Sequence, residues 1–135
     1  MSPEQLLGEL ESSGRIVVCD MEAGIGTLLR VLPGQLDVVL VVAQPTAKSI
    51  EVARRAVRIA SNRARVILVA NRVRSEADVE LIREGVDWGD GDIVVVPDDP
   101  EVARADEEGW RRSTRRPLRP GVRAIEALAG LVETG

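Results

Sequence analysis

Short unbroken runs of branched apolar residues recur along the chain, separated by stretches in which apolar residues return every three or four positions. The runs are Ile16-Val17-Val18-Cys19, Val38-Val39-Leu40-Val41-Val42-Ala43, Val66 to Ala70, and Ile93 to Val96. Each predicts a strand buried on both faces, because a half-buried strand would alternate apolar and polar residues. The intervening stretches predict helices. Ser2-Pro3-Glu4-Gln5 reads as an N-cap, a first-turn proline and a capping box, followed by Leu6, Leu7 and Leu10 and a stop near Ser12-Ser13-Gly14. A short helix through Leu28, Leu29 and Val31 stops at Pro33-Gly34. A long one runs from about Thr46 to Asn62, with Ile50, Ala53, Val57 and Ala60 at helical spacing. Ser75-Glu76-Ala77-Asp78 forms a second capping box and opens a helix through Leu81 and Ile82 that ends near Gly85. Asp99-Pro100 opens another that ends at Gly109, and the last helix carries Val122, Ile125, Leu128, Ala129 and Val132.

Strand and helix alternate, so the expected fold class is α/β: a parallel sheet of about four strands with helices on both faces. One domain accounts for residues 1–135. It comprises a helix over 1–14, an α/β core over 15–110, an Arg- and Pro-rich linker over 111–120 and a C-terminal helix over 121–135. In such a sheet, ligands gather at the carboxyl ends of the strands.

Composition narrows the chemistry. The chain of 135 residues carries a net charge of −4 and has no His, Phe or Tyr, one Cys and two Trp. Without His there is no Ser-His-Asp or Cys-His nucleophile pair and no imidazole ligand for a metal. A single cysteine, Cys19, makes neither an intramolecular disulfide nor a thiolate zinc site, and is expected in the core. Two Trp (Trp88, Trp110) offer no stacking platform for single-stranded nucleic acid, and net acidity disfavours phosphate-backbone binding. No apolar run reaches the ~20 residues of a membrane span. The first residues include Glu4, Glu9 and Glu11 rather than a basic and then apolar stretch. A cytoplasmic location, with no nucleic-acid or membrane partner, is therefore expected.

Four segments fall at the expected carboxyl edge: Asp20 to Gly24, Gln44-Pro45-Thr46, Asn71-Arg72 and Pro97-Asp98-Asp99. Asp20 with Gly24 suits a Mg²⁺-linked carboxylate followed by a glycine whose N–H approaches a γ-phosphate. Equally, Asp20 ends a strand and Gly24 relieves a turn. Asn71 can hydrogen-bond a base edge through its amide, or serve as a turn residue; Asp98 and Asp99 read first as turn and N-cap. Lys48-Ser49 follows a strand and opens a helix but is no P-loop. The glycine positions of G-x-x-x-x-G-K-[ST] hold Val42 and Ala47, and Lys48 is the only lysine in the chain. Arg111, Arg112, Arg115, Arg116 and Arg119 form a basic patch that offsets Asp106, Glu107 and Glu108 in a solvated linker, or docks an acidic partner.

Taken in order, these segments resemble a known family. Val-Val-Cys-Asp-Met-Glu-Ala-Gly-Ile-Gly at 17–26 looks like the Walker B and switch II segment of the deviant-Walker P-loop ATPases, the MinD/ParA group. Asp-Met-Glu-Ala-Gly is most similar to the carbon monoxide dehydrogenase maturation ATPases, which assist nickel insertion. Asp37 to Ser49 resembles the family's strand-Pro-helix segment, Val69 to Val73 the strand ending in an adenine-contacting Asn, and Val96 to Asp99 with Gly109 the segment that closes over the base. The resemblance implies Asp20 near Mg²⁺, through water, and Gly24 near the γ-phosphate. It also implies Asn71 and Arg72 at adenine, with Pro97 and Asp98 beside the base. It spans roughly residues 15–110 and leaves no counterpart of the P-loop, its strand, the signature lysine, switch I or the metal-binding Cys-x-Cys. In the family the missing strand runs between the counterparts of 16–19 and 38–43, so here those two are expected to pair directly, or something else to fill the gap.

The resulting expectation is a P-loop-less relative acting as a binding or regulatory module, as a homodimer or with a P-loop-bearing partner ATPase, and serving a metalloenzyme client. ATP with Mg would bind weakly without a P-loop, and hydrolysis by the chain alone is not expected. The alternative is one half of a split or truncated ATPase, active once its N-terminal half is supplied. A third reading is nucleotide binding through Asn71 and Pro97 without hydrolysis.

Overall fold

The computed structural model describes residues 16–21, 25–102, 104 and 120–133. A short helix α1 (Ile25–Leu29) leads into strand β1 (Val38–Ala43), helix α2 (Ala47–Ala60), strand β2 (Arg65–Val73), helix α3 (Glu76–Val86) and strand β3 (Ile93–Pro97). Helix α4 (Pro120–Glu133) is the last element described. The strands form one parallel sheet in the order β1-β2-β3. This is a small α/β arrangement of generic Rossmann-like form, with helices on both faces.

Alternation along each strand divides the core in two. Val41, Ala43, Leu68 and Ala70 face one way and pack with Ile50 and Ala53 of α2 and with Val79, Ile82 and Val86 of α3. Ile67, Val69 and Val96 face the other way and receive Ala124, Leu128 and Val132 of α4. The register preserves these rows, placing Val41 beside Leu68 and Leu68 beside Ile93 on one face, Val42 beside Val69 and Val69 beside Val94 on the other. On α4 the inward stripe is thus 124/128/132, and Ile125, expected in that stripe, is exposed.

Local chemistry fixes the helix ends. Thr46 caps α2, its hydroxyl accepting from the Ser49 N–H at 3.3 Å. At the far end Arg63 donates from Nε to the Val31 carbonyl (3.0 Å) and from Nη1 to the Ile59 carbonyl (2.6 Å), tying the turn after α1 to the end of α2. α3 ends in a Schellman arrangement: Trp88 N–H reaches the Arg83 carbonyl, Asp87 N–H the Glu84 carbonyl, and Asp87 sits at φ 60°. α2 and α3 touch so closely that a Cβ at residue 85 would overlap Cγ2 of Ile50, which is why glycine stands there. The expected capping box at Ser75 forms differently. The Ser75 side chain makes no cap bond, and Asp78 Oδ2 instead accepts from the Arg74 N–H at 2.9 Å.

Two expectations about the sheet are corrected. It has three strands among the described residues, not four, because Ile16 to Cys19 joins no strand and makes no backbone hydrogen bond to β1. Ile16 is 74% and Val18 87% exposed. An apolar run becomes a buried strand only where it pairs with a neighbour and is covered on both faces, and here 17–21 faces β1 across a groove instead of pairing with it. Cys19 is accordingly exposed rather than in the core. Conversely, β2 runs three residues further than its apolar stretch and takes in Asn71 and Arg72. The expected helix over Ser2 to Ser12, Gly24, Gly109 and the basic linker with Arg111 to Arg119 lie outside the described residues. Among the described residues no helix is long and apolar enough to cross a membrane.

Candidate functional site

Four of the six residues singled out from the sequence meet at the carboxyl ends of β2 and β3. Asn71 lies in register with Val96, and Val73 with Pro97. Arg72, between them, is the extra residue of a bulge and adopts φ 58°. The bulge releases Arg72 from the ladder, and its Nε comes within 3.6 Å of Asp98 Oδ1. Asp98 is held in turn by its own N–H, which donates to the Val73 carbonyl at 2.9 Å. The Arg72 and Asp98 side chains are 60% and 42% exposed, so their ion pair contributes only ~0–1 kcal/mol. A left-handed φ in a side-chain-bearing residue costs roughly 1–2 kcal/mol. The pair therefore does not explain the bulge, which places local strain at this edge. Beside it, Asp99 caps a helical turn at 100–102 through Oδ1, which accepts from the Glu101 N–H at 2.9 Å, while Oδ2 is buried with no partner.

Asp20 does not join this group. It ends no strand and is exposed on the 16–21 segment. That segment forms the far wall of a groove of about 460 Å³ beside β1, lined also by residues of α2 and by Val132 of α4; none of Asn71, Arg72, Pro97 and Asp98 lines it. The near wall is β1 itself, whose outer edge has no strand partner among the described residues. On the α4 side, Leu40 is 40% and Val42 54% exposed. β1 has no charge, proline or bulge over Val38–Ala43 to blunt its edge. This groove was not legible in the sequence as a site. The apolar run at 38–43 was plain, but nothing in one strand's sequence says that it lies at an edge.

The start of α2 is closed by local hydrogen bonds. Gln44 N–H donates to Ser49 Oγ (2.9 Å), Thr46 N–H to the Gln44 carbonyl (2.8 Å) and Ser49 N–H to Thr46 Oγ1, so these three donors are satisfied within the turn. Lys48 is exposed. Among the described residues no group of three or more Cys, Asp or Glu side chains is arranged around a metal position.

Comparison of the chain with protein-family models, curated proteins and solved structures returned no match.

Proposed function

We propose that this chain is a P-loop-less relative of the MinD/ParA-like ATPases, of the metallocentre-maturation type, working as a binding or regulatory module that does not hydrolyse ATP by itself. The observation that carries the reading is the edge of β1, which has no strand partner among the described residues and lies in an apolar groove. An edge strand presents alternate N–H and C=O groups, and an added extended segment satisfies them while burying apolar side chains on both flanks. The partner in this reading is a P-loop-bearing ATPase or a second copy, with a metalloenzyme as the eventual client. Support for the family resemblance comes from the carboxyl edge, where Asn71, Arg72, Pro97 and Asp98 adjoin as a base-flanking group would. Support for the lack of hydrolysis comes from the self-capped turn at Gln44 to Ser49 and the isolated Asp20.

Phosphate release from Mg-ATP tests this reading. The purified chain is expected to release none above the buffer rate, and turnover by the chain alone overturns the proposal. A second reading, one half of a split ATPase, is favoured by the same groove, because it separates 17–21 from β1 where the resembled family runs its P-loop strand. Mixing with a separately purified N-terminal half of a MinD/ParA-like ATPase, carrying a GKGGVGKT-type loop, separates the two. Association without turnover supports the binding module, whereas turnover that appears only in the mixture supports the split enzyme.

A further inference from the structure

Helices α2 and α3 lie side by side on one face of the sheet and carry opposite charge. On α2, Lys48, Arg54, Arg55 and Arg58 stand against the single carboxylate of Glu51. On α3, Glu76, Asp78, Glu80 and Glu84 stand against the single cation of Arg83. Adjacent helices of opposite sign would be expected to pair across their seam, and these do not. The ion pairs they form stay within a helix or its flank: Arg55 with Glu51, Arg83 with Glu80, and Arg74 with Asp78. Among the described residues Lys48, Arg54 and Arg58, and likewise Glu76 and Glu84, make no ion pair at all. Lys48, Arg58, Glu76 and Glu84 are all exposed. Leu81, on the α3 side of the same layer, is 50% exposed.

We infer that this bipolar face is a self-complementary interface for a second copy of the chain. Parallel strands joined by single crossovers leave α2 and α3 running in the same direction. A two-fold axis lying along the seam between them sets α2 of one copy over α3 of its partner, and the reverse, in one operation. The contact of a basic row with an acidic row then occurs twice in the dimer, once for the α2 of each copy. Such an isologous contact closes as a dimer and does not propagate. A protein of different identity would have to reproduce this alternation of sign, whereas a second copy carries it already. Rows of one sign facing like rows would repel, so the charge pattern also sets the orientation of the pair.

Sedimentation equilibrium of the full chain tests this, with circular dichroism to confirm that each variant is folded. The wild-type chain is expected to be dimeric at about 20 mM salt, with Kd rising about tenfold or more by 500 mM as the Debye length contracts. One variant reverses the basic row (Lys48→Glu with Arg58→Glu) and another the acidic row (Glu76→Lys with Glu84→Lys). Each is expected to be monomeric alone, because the net charge of both its rows is then of one sign. An equal mixture of the two is expected to form a dimer, since each row again meets its opposite. A wild-type chain that stays monomeric at low salt, variants that still self-associate, or a mixture that stays monomeric overturns the inference. None of the four positions lines the β1 groove, so failure here is distinguishable from failure of the proposed function.

Discussion

Substituting Gly85 by alanine sets two effects of known sign against each other. In a helix interior alanine is favoured over glycine by about 1 kcal/mol, and less near the helix end where residue 85 lies. Against this stands Ile50, whose Cγ2 occupies the space that the new Cβ would take. Cγ2 is fixed directly on the Ile50 Cβ, and a β-branched side chain in a helix has one strongly preferred χ1, so it cannot swing aside cheaply. The remaining way to relieve the overlap is to move α2 and α3 apart, which disturbs the layer over Leu68 and Ala70. Overpacking of this kind costs roughly 1–3 kcal/mol, so the net expectation is a loss of about 1 kcal/mol rather than a gain. Urea unfolding followed by circular dichroism reads this as a lower midpoint at unchanged slope. Leucine at position 50 has no Cγ2, so Ile50→Leu should recover much of the loss, with a coupling of about 1 kcal/mol in the double-mutant cycle. A Gly85→Ala chain more stable than wild type, or strict additivity with Ile50→Leu, would refute the reasoning.

Three other outcomes follow from the packing and the caps. Ile82 has no solvent exposure, and Ile82→Ala should cost about 2–5 kcal/mol in urea unfolding; a loss below that range would mean that α3 is not packed as described. Asp87 holds a left-handed φ and a negative charge at the carboxyl end of α3, both unfavourable, so Asp87→Gly should raise stability by about 0.5–1.5 kcal/mol. Calorimetric titration with millimolar Mg-ATP, on wild type and Asn71→Ala, should give at most weak heat that the substitution abolishes; equal heat from both would remove Asn71 from any nucleotide site.

What the sequence made legible was what depends on local pattern. The bounds of β1, the start of α2 near Thr46 and the helical spacing of Ile50 and Ala53 all follow from side chains within a few residues of one another. The gathering of Asn71, Arg72, Pro97 and Asp98 was legible too, because parallel strands in an α/β sheet end at one edge. What escaped were features set by the neighbours of an element. Ile16-Val17-Val18-Cys19 has the composition of a buried strand, but it stands across a groove from β1 without pairing, so the run lies exposed. The bulge at Arg72 depends on how β3 meets β2, which neither strand reveals alone. The open edge of β1 likewise follows from the order of strands in the sheet, not from the residues of β1.

The most direct test of the account is hydrogen exchange along β1, read by NMR at high salt so that charge-driven association is suppressed. In the chain alone, alternate amides over Val38–Ala43 should exchange rapidly, because their N–H groups face the groove without a partner, while those of Ile67 to Ala70 in the central strand should be among the slowest. Addition of the P-loop-bearing half of a MinD/ParA-like ATPase should slow the fast set selectively. Uniform protection of β1 in the chain alone, matching that of β2, would mean that the edge is already covered and would contradict the reading of this chain as a module that binds through it.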